Sequence, residues 1–162
     1  MLPVTRTLLA FALLATLAPV AVRARLGDNL SQLRSRYGRP APQAHRDPTS
    51  AVWFFEGEEG ELVFTVTFNA KGESIAEGLK PVKRAHFPAD TVQDFIDLQM
   101  APYRGSQTTR AVKPGEKYNF GGKTMVCAEQ ESVLVDEPNR ILIVWTRIGL
   151  LSVMAVRPEM IR

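Results

Sequence analysis

Apolar and polar positions alternate most cleanly between residues 62 and 69, where Leu62, Phe64, Val66 and Phe68 interleave with Val63, Thr65, Thr67 and Asn69. Successive side chains of a strand point to opposite faces, so a period of two over this stretch predicts a strand with one buried face. The segment before it, Ala51 to Glu56, carries Trp53, Phe54 and Phe55, residue types that suit a pleated, half-buried surface. Gly57-Glu58-Glu59-Gly60 supplies a turn between the two. Asn69-Ala70-Lys71-Gly72 then turns the chain into Glu73 to Lys80, where Ile75, Glu77 and Leu79 share one side. The expectation is a meander of three adjacent antiparallel strands.

Helical spacing occurs twice. Leu30, Leu33 and Tyr37 recur at intervals of three and four, with Asp28 or Asn29 available as a cap and Gly38 and Pro40 as stops. Residues 39 to 50 are polar and proline-rich, and predict a loop. A basic connector, Pro81 to Pro88, leads to the second helix. There Asp90 and Gln93 have the spacing of a capping box, Val92, Phe95, Ile96 and Met100 form the buried stripe, and Pro102 ends it. Residues 102 to 115 predict a mobile loop.

The last third reads as strands. Lys117 to Phe120 and Lys123 to Glu129 flank Gly121-Gly122, a hairpin turn that glycine permits because it accepts positive φ. Ser132 to Asp136 and Arg140 to Arg147 flank Glu137-Pro138-Asn139, and Leu150 to Arg157 follows. Strand runs with two helices and no regular alternation predict an α+β fold. It would be a predominantly antiparallel sheet of about seven or eight strands, with two main helices packed on one face.

The first 24 residues differ from everything after them. Arg6 precedes an almost unbroken apolar run from Leu8 to Val22, and Val22-Arg23-Ala24 places small residues where a signal peptidase reads them. The run is shorter than the roughly twenty residues a spanning helix needs. We read residues 1–24 as a cleaved signal peptide and 25–162 as a single domain, exported to the periplasm or secreted. The block from Ile141 to Val156 is apolar too, but it holds Arg147 and is broken at Gly149, so it predicts buried strands rather than an anchor.

Removal of the leader changes the charge. The chain has 20 Lys+Arg against 17 Asp+Glu; Arg6 and Arg23 leave with the leader, so the net falls from +3 to +1. So small a net charge gives little long-range attraction for nucleic acid or an anionic membrane. Cys127 is the single cysteine, which excludes an intramolecular disulfide and the usual N-terminal lipid attachment.

Leu26-Gly27-Asp28 with its short helix, the helix-ending Arg36-Tyr37-Gly38-Arg39-Pro40 and the aromatic meander resemble uncharacterised secreted bacterial proteins that open with a helix closed by a Tyr-Gly-x-Pro step. The order of elements is more distantly similar to small outer-membrane assembly lipoproteins and to the β-lactamase-inhibitor-protein-like fold. These resemblances imply an extracytoplasmic binding or scaffolding role.

Candidate chemistry is sparse. Cys127 paired with His45 or His86 would be the nucleophile and base of an acyl-transfer enzyme. However, Cys127 sits among apolar residues with no cysteine-enzyme sequence around it, which predicts a packed thiol. Glu56, Glu58, Glu59 and Glu61 surround a turn without the spacing of a calcium loop, and two histidines do not make a metal site. No metal or cofactor is expected. Asp136 and Glu137 read as turn residues. Arg34, Arg36, Arg39 and Arg46 form a basic run, and Lys80, Lys83, Arg84 and His86 a second; the first is either a solvated face and loop or a contact for an acidic partner or lipid headgroup, and the second reads as surface. Phe54 cannot share a face with Trp53 and Phe55. The binding candidates are therefore Trp53, Phe54, Arg34 and Arg36, for an envelope or secreted protein or peptide. The rival readings are a Cys127 enzyme and a structural component that self-associates through an open sheet edge.

Overall fold

The computed structural model describes residues 25–42, 49–57, 60–83, 89–146 and 152–161. The chain is α+β. Helix α1 (Leu30–Tyr37) precedes strands β1 (Ser50–Gly57), β2 (Gly60–Phe68) and β3 (Ser74–Pro81); α2 (Ala89–Met100) precedes β4 (Arg110–Val112), β5 (Lys117–Phe120), β6 (Lys123–Val126), β7 (Glu131–Asp136), β8 (Ile141–Thr146) and β9 (Val153–Val156). Seven strands form one antiparallel sheet in the order β1-β2-β3-β9-β8-β7-β4, and β5 and β6 form a separate hairpin. Two meanders, β1-β2-β3 and β7-β8-β9, are thus joined side by side through β3 and β9.

The alternation in the sequence selects the face under the helices. Register aligns Trp53, Phe64, Leu79, Val153 and Trp145 across the sheet, and the neighbouring row is Ala51, Val66, Glu77, Ala155 and Ile143. Leu33 of α1 and Phe95 and Ile96 of α2 pack on these rows in one core. Tyr37 meets Trp53, Phe55 and Phe64 edge-on. Ring pairs of this geometry add about 0.5–1.5 kcal/mol each beyond the area they bury.

The opposite face is covered over part of its width. Ala76, Val156, Leu142 and Val135 form a row that packs with Val112, Val133, and with Tyr118, Phe120 and Cys127 from the hairpin. Covering on both sides explains why Ile141, Leu142 and Ile143 are consecutively buried, where a half-exposed strand would alternate. The hairpin turn needs its glycines: Gly121 and Gly122 have φ of 61° and 78°.

Several local expectations change. Of the two cap candidates for α1 the structure selects Asn29, in a reciprocal capping box with Gln32. Helix α2 begins at Ala89, so Asp90 lies inside its first turn rather than at a cap. Residues 102–115 are not simply a loop, because a 3-10 turn at Ala101–Tyr103 and edge strand β4 occupy part of them. Strand β6 stops at Val126, short of Glu129, and β9 begins at Val153; Arg147, Gly149 and Leu150 lie outside the described residues. Among the described residues, no helix is long and apolar enough to cross a membrane.

Candidate functional site

Strand β1 is one outer edge of the sheet, and the sequence around it carries most of the candidate binding residues. Helix α1 ends over this strand because Gly38 (φ 76°) takes a backbone conformation that disfavours other residues; its N–H closes on the Arg34 carbonyl. The Gly38 carbonyl then accepts a hydrogen bond from Trp53 Nε1 at 3.1 Å. Further along, the Ala41 N–H donates to the Val52 carbonyl at 2.7 Å, so the chain after α1 lies against the β1 edge. Arg34, Arg39, Pro40, Ala41 and Pro42 line an open groove of about 700 Å³ there.

The four binding candidates separate. Trp53 is a core residue at 2% exposure and presents no surface. Phe54, one residue on and therefore on the opposite face, is 45% exposed. Arg36 is drawn back along α1 to pair with Asp28, whose proximity raises the guanidinium pKa chiefly through their hydrogen bond. Arg34 remains exposed and shares the groove with Arg39, and no acidic side chain among the described residues pairs with either. Of the four, Phe54 and Arg34 are exposed, Trp53 is buried and Arg36 is paired with Asp28; Arg39, which the sequence had placed only in a basic run, lines the groove with Arg34. His45 and Arg46 lie outside the described residues.

The catalytic alternative finds a different setting. Cys127 is 1% exposed, packed beneath the hairpin, with its Sγ 3.7 Å from the carbonyls of Ala128 and Glu131. Its possible bases, His45 and His86, lie outside the described residues, as do Glu58, Glu59 and Arg84. Lys80 and Lys83 are exposed. Among the described residues no group of His, Cys, Asp or Glu is arranged to hold a metal.

Two buried carboxylates escaped the sequence reading. Asp136 is 1% exposed rather than a solvated turn residue. It accepts from Thr108 Oγ1 at 2.7 Å, Thr109 Oγ1 at 2.8 Å, Asn139 Nδ2 at 2.9 Å and the Asn139 N–H at 3.2 Å, and Ser106 Oγ lies 3.2 Å away. Burial alone would raise its pKa; the hydrogen bonds outweigh burial and hold it at about 2. Glu77 is the second, fully buried on β3 beneath both helices, between Val66 and Ala155 in the adjacent strands. Ser74 Oγ lies 2.7 Å from its Oε1, and Gln99 Nε2 of α2 donates to its Oε2 at 2.6 Å. Burial raises this carboxyl to about 7, against the lowering effect of those two hydrogen bonds. The only sequence signal was parity, since Glu77 shares a strand face with Leu79.

Comparison with protein-family models, curated proteins and solved structures finds no match for this chain. What the site does must be argued from its own chemistry.

Proposed function

We propose that this is an exported, non-catalytic binding domain that engages an acidic segment of an envelope or secreted protein along the β1 margin. The observations that carry this reading are exposed Phe54 on edge strand β1 and, where the chain after α1 meets that strand, a groove lined by Arg34 and Arg39, with which no acidic side chain among the described residues pairs. A strand margin that offers cations and, on its other face, an exposed aromatic ring suits acidic, partly apolar chain segments. A planar guanidinium can grip a carboxylate through two parallel hydrogen bonds, which lysine cannot do. The leader-like first 24 residues support export. A thiol as deeply packed as Cys127 supports a role other than catalysis.

The test is crosslinking in intact cells of the native host, with tagged protein recovered and its adducts identified by mass spectrometry. The reading expects a reproducible extracytoplasmic protein whose recovery falls at least tenfold with Arg34→Glu/Arg39→Glu. Equal recovery by the double variant would contradict it.

A second reading rests on β1 having, among the described residues, a strand neighbour on one side only, with the chain after α1 bonded to its other side at Val52 and the remainder of that side available. An open edge can pair with another copy of the chain. Sedimentation over a wide concentration range separates the two readings, because edge pairing gives a concentration-dependent dimer and the first reading a monomer.

A further inference from the structure

Residues 25–29 cross the end of the sheet before α1 starts, and a set of buried polar side chains holds them there. The Leu26 N–H donates to Gln99 Oε1 at 3.0 Å, and Gln99 in turn donates to Glu77. The Gly27 N–H reaches both the carbonyl and the hydroxyl oxygen of Ser74, each at 2.9 Å. The Ser74 N–H donates to the Asp28 carbonyl at 2.9 Å. Leu26 packs into the core, and the polar attachments of the segment run through Ser74 and Gln99, both of whose side chains terminate on Glu77.

The Ser74 hydroxyl decides how that arrangement depends on protons. Its oxygen lies 2.7 Å from Glu77 Oε1 and 3.2 Å from the Arg25 carbonyl, both acceptors when Glu77 is ionised. A hydroxyl has one hydrogen and can satisfy only one of them. If Glu77 carries its own proton on Oε1, that proton is donated to Ser74 Oγ and the serine hydrogen is released to the Arg25 carbonyl. All the close approaches are then satisfied together.

From this geometry we propose that Glu77 is a proton-operated latch, which fastens residues 25–29 to the sheet when protonated and loosens them when ionised. The surroundings act in the same direction. Asp28 of the fastened segment faces Glu77 and opposes its ionisation; Arg36 of α1 favours ionisation but is itself paired with Asp28. Helix α2 contributes the neutral Gln99, and the neighbouring strands present Val66 and Ala155. An ionised Glu77 gains solvation and escapes Asp28 only if the segment lifts. The carboxyl's upward displacement to about 7 puts the transition near neutral pH.

Amide hydrogen exchange by NMR tests the latch, with rates expressed as protection factors so that the intrinsic pH dependence of exchange cancels. Taking about 7 for the closed state and the ordinary 4.5 for the open state, protection at Leu26 and Gly27 should fall about tenfold between pH 6 and pH 8. Glu77→Gln, which reproduces the neutral group, should remove that fall. The Glu77 carboxyl carbon of the wild-type protein provides a readout independent of the variant's folding. It should titrate with the same midpoint as the loss of protection. Unchanged protection across the range, an equal fall in Glu77→Gln, or a Glu77 midpoint near 4.5 would each overturn the proposal.

Discussion

Replacing Asp136 by asparagine keeps the size of the side chain and removes its charge. Oδ2 accepts from Thr109 and Asn139, so an amide nitrogen there would set its N–H donors against donors. The magnitude follows from linkage. The folded carboxyl titrates at about 2 against an ordinary 3.8, a difference of roughly 1.8 units, or about 2.4 kcal/mol at neutral pH. The depressed pKa means this stability is fully present above about pH 5 and is lost as pH falls through 3.8 towards 2. Urea unfolding of both proteins, followed by circular dichroism at pH 7 and pH 2.5, isolates the effect because every other carboxylate is common to the two. We expect Asp136→Asn to cost about 2–3 kcal/mol at pH 7, with a Tm lower by about 5–10 °C. The difference between the proteins should shrink by about 1.6 kcal/mol at pH 2.5. A difference of equal size at both pH values would refute the assignment of that stability to the ionised carboxylate.

Glu77 has the opposite sign. Its folded pKa lies above the ordinary value, so the associated stability is present below about 4.5 and is lost as pH rises through about 7. Wild-type protein should lose on the order of 3 kcal/mol across that window, and Glu77→Gln should lose little of it, measured by urea midpoints from pH 4 to pH 9. Trp53→Phe should cost about 1 kcal/mol through loss of the hydrogen bond to Gly38, and Trp53→Ala about 3–5 kcal/mol through the cavity it leaves, both read from thermal melts. Cys127 should resist iodoacetamide in the native protein and react only once urea unfolds it; mass spectrometry of time points decides this.

Much of the sheet was legible because the alternation marks the face under the helices, as in β2, where Phe64, Val66 and Phe68 are buried, and because glycine-bearing turns bound the strands. The parity that separates Phe54 from Trp53 and Phe55 was equally readable. Which parity would be covered depends on where α1 docks, and that information lies in the tertiary fold. The same limit explains Arg36. Its partner Asp28 lies eight positions earlier in a non-helical segment, outside the three- and four-residue spacings that reveal pairs along a helix. Strand β4 was missed because three residues are too few to establish a period. Asp136 and Glu137 are adjacent acids beside a proline turn, and only the return of residues 106–109 distinguishes the buried one from the exposed one. Glu77 required Gln99, contributed by the following helix, before its burial made sense.

The β1 margin as a partner-binding edge is tested most directly by a photo-crosslinking amino acid placed at position 54, compared with the same residue at 126. Val126 is also exposed and apolar but lies on the separate hairpin, so it controls for random encounter. In intact cells of the native host, the account predicts a discrete, light-dependent adduct from position 54 that disappears with Arg34→Glu/Arg39→Glu, and none from position 126. No adduct from position 54, or matching adducts from both positions, would contradict it.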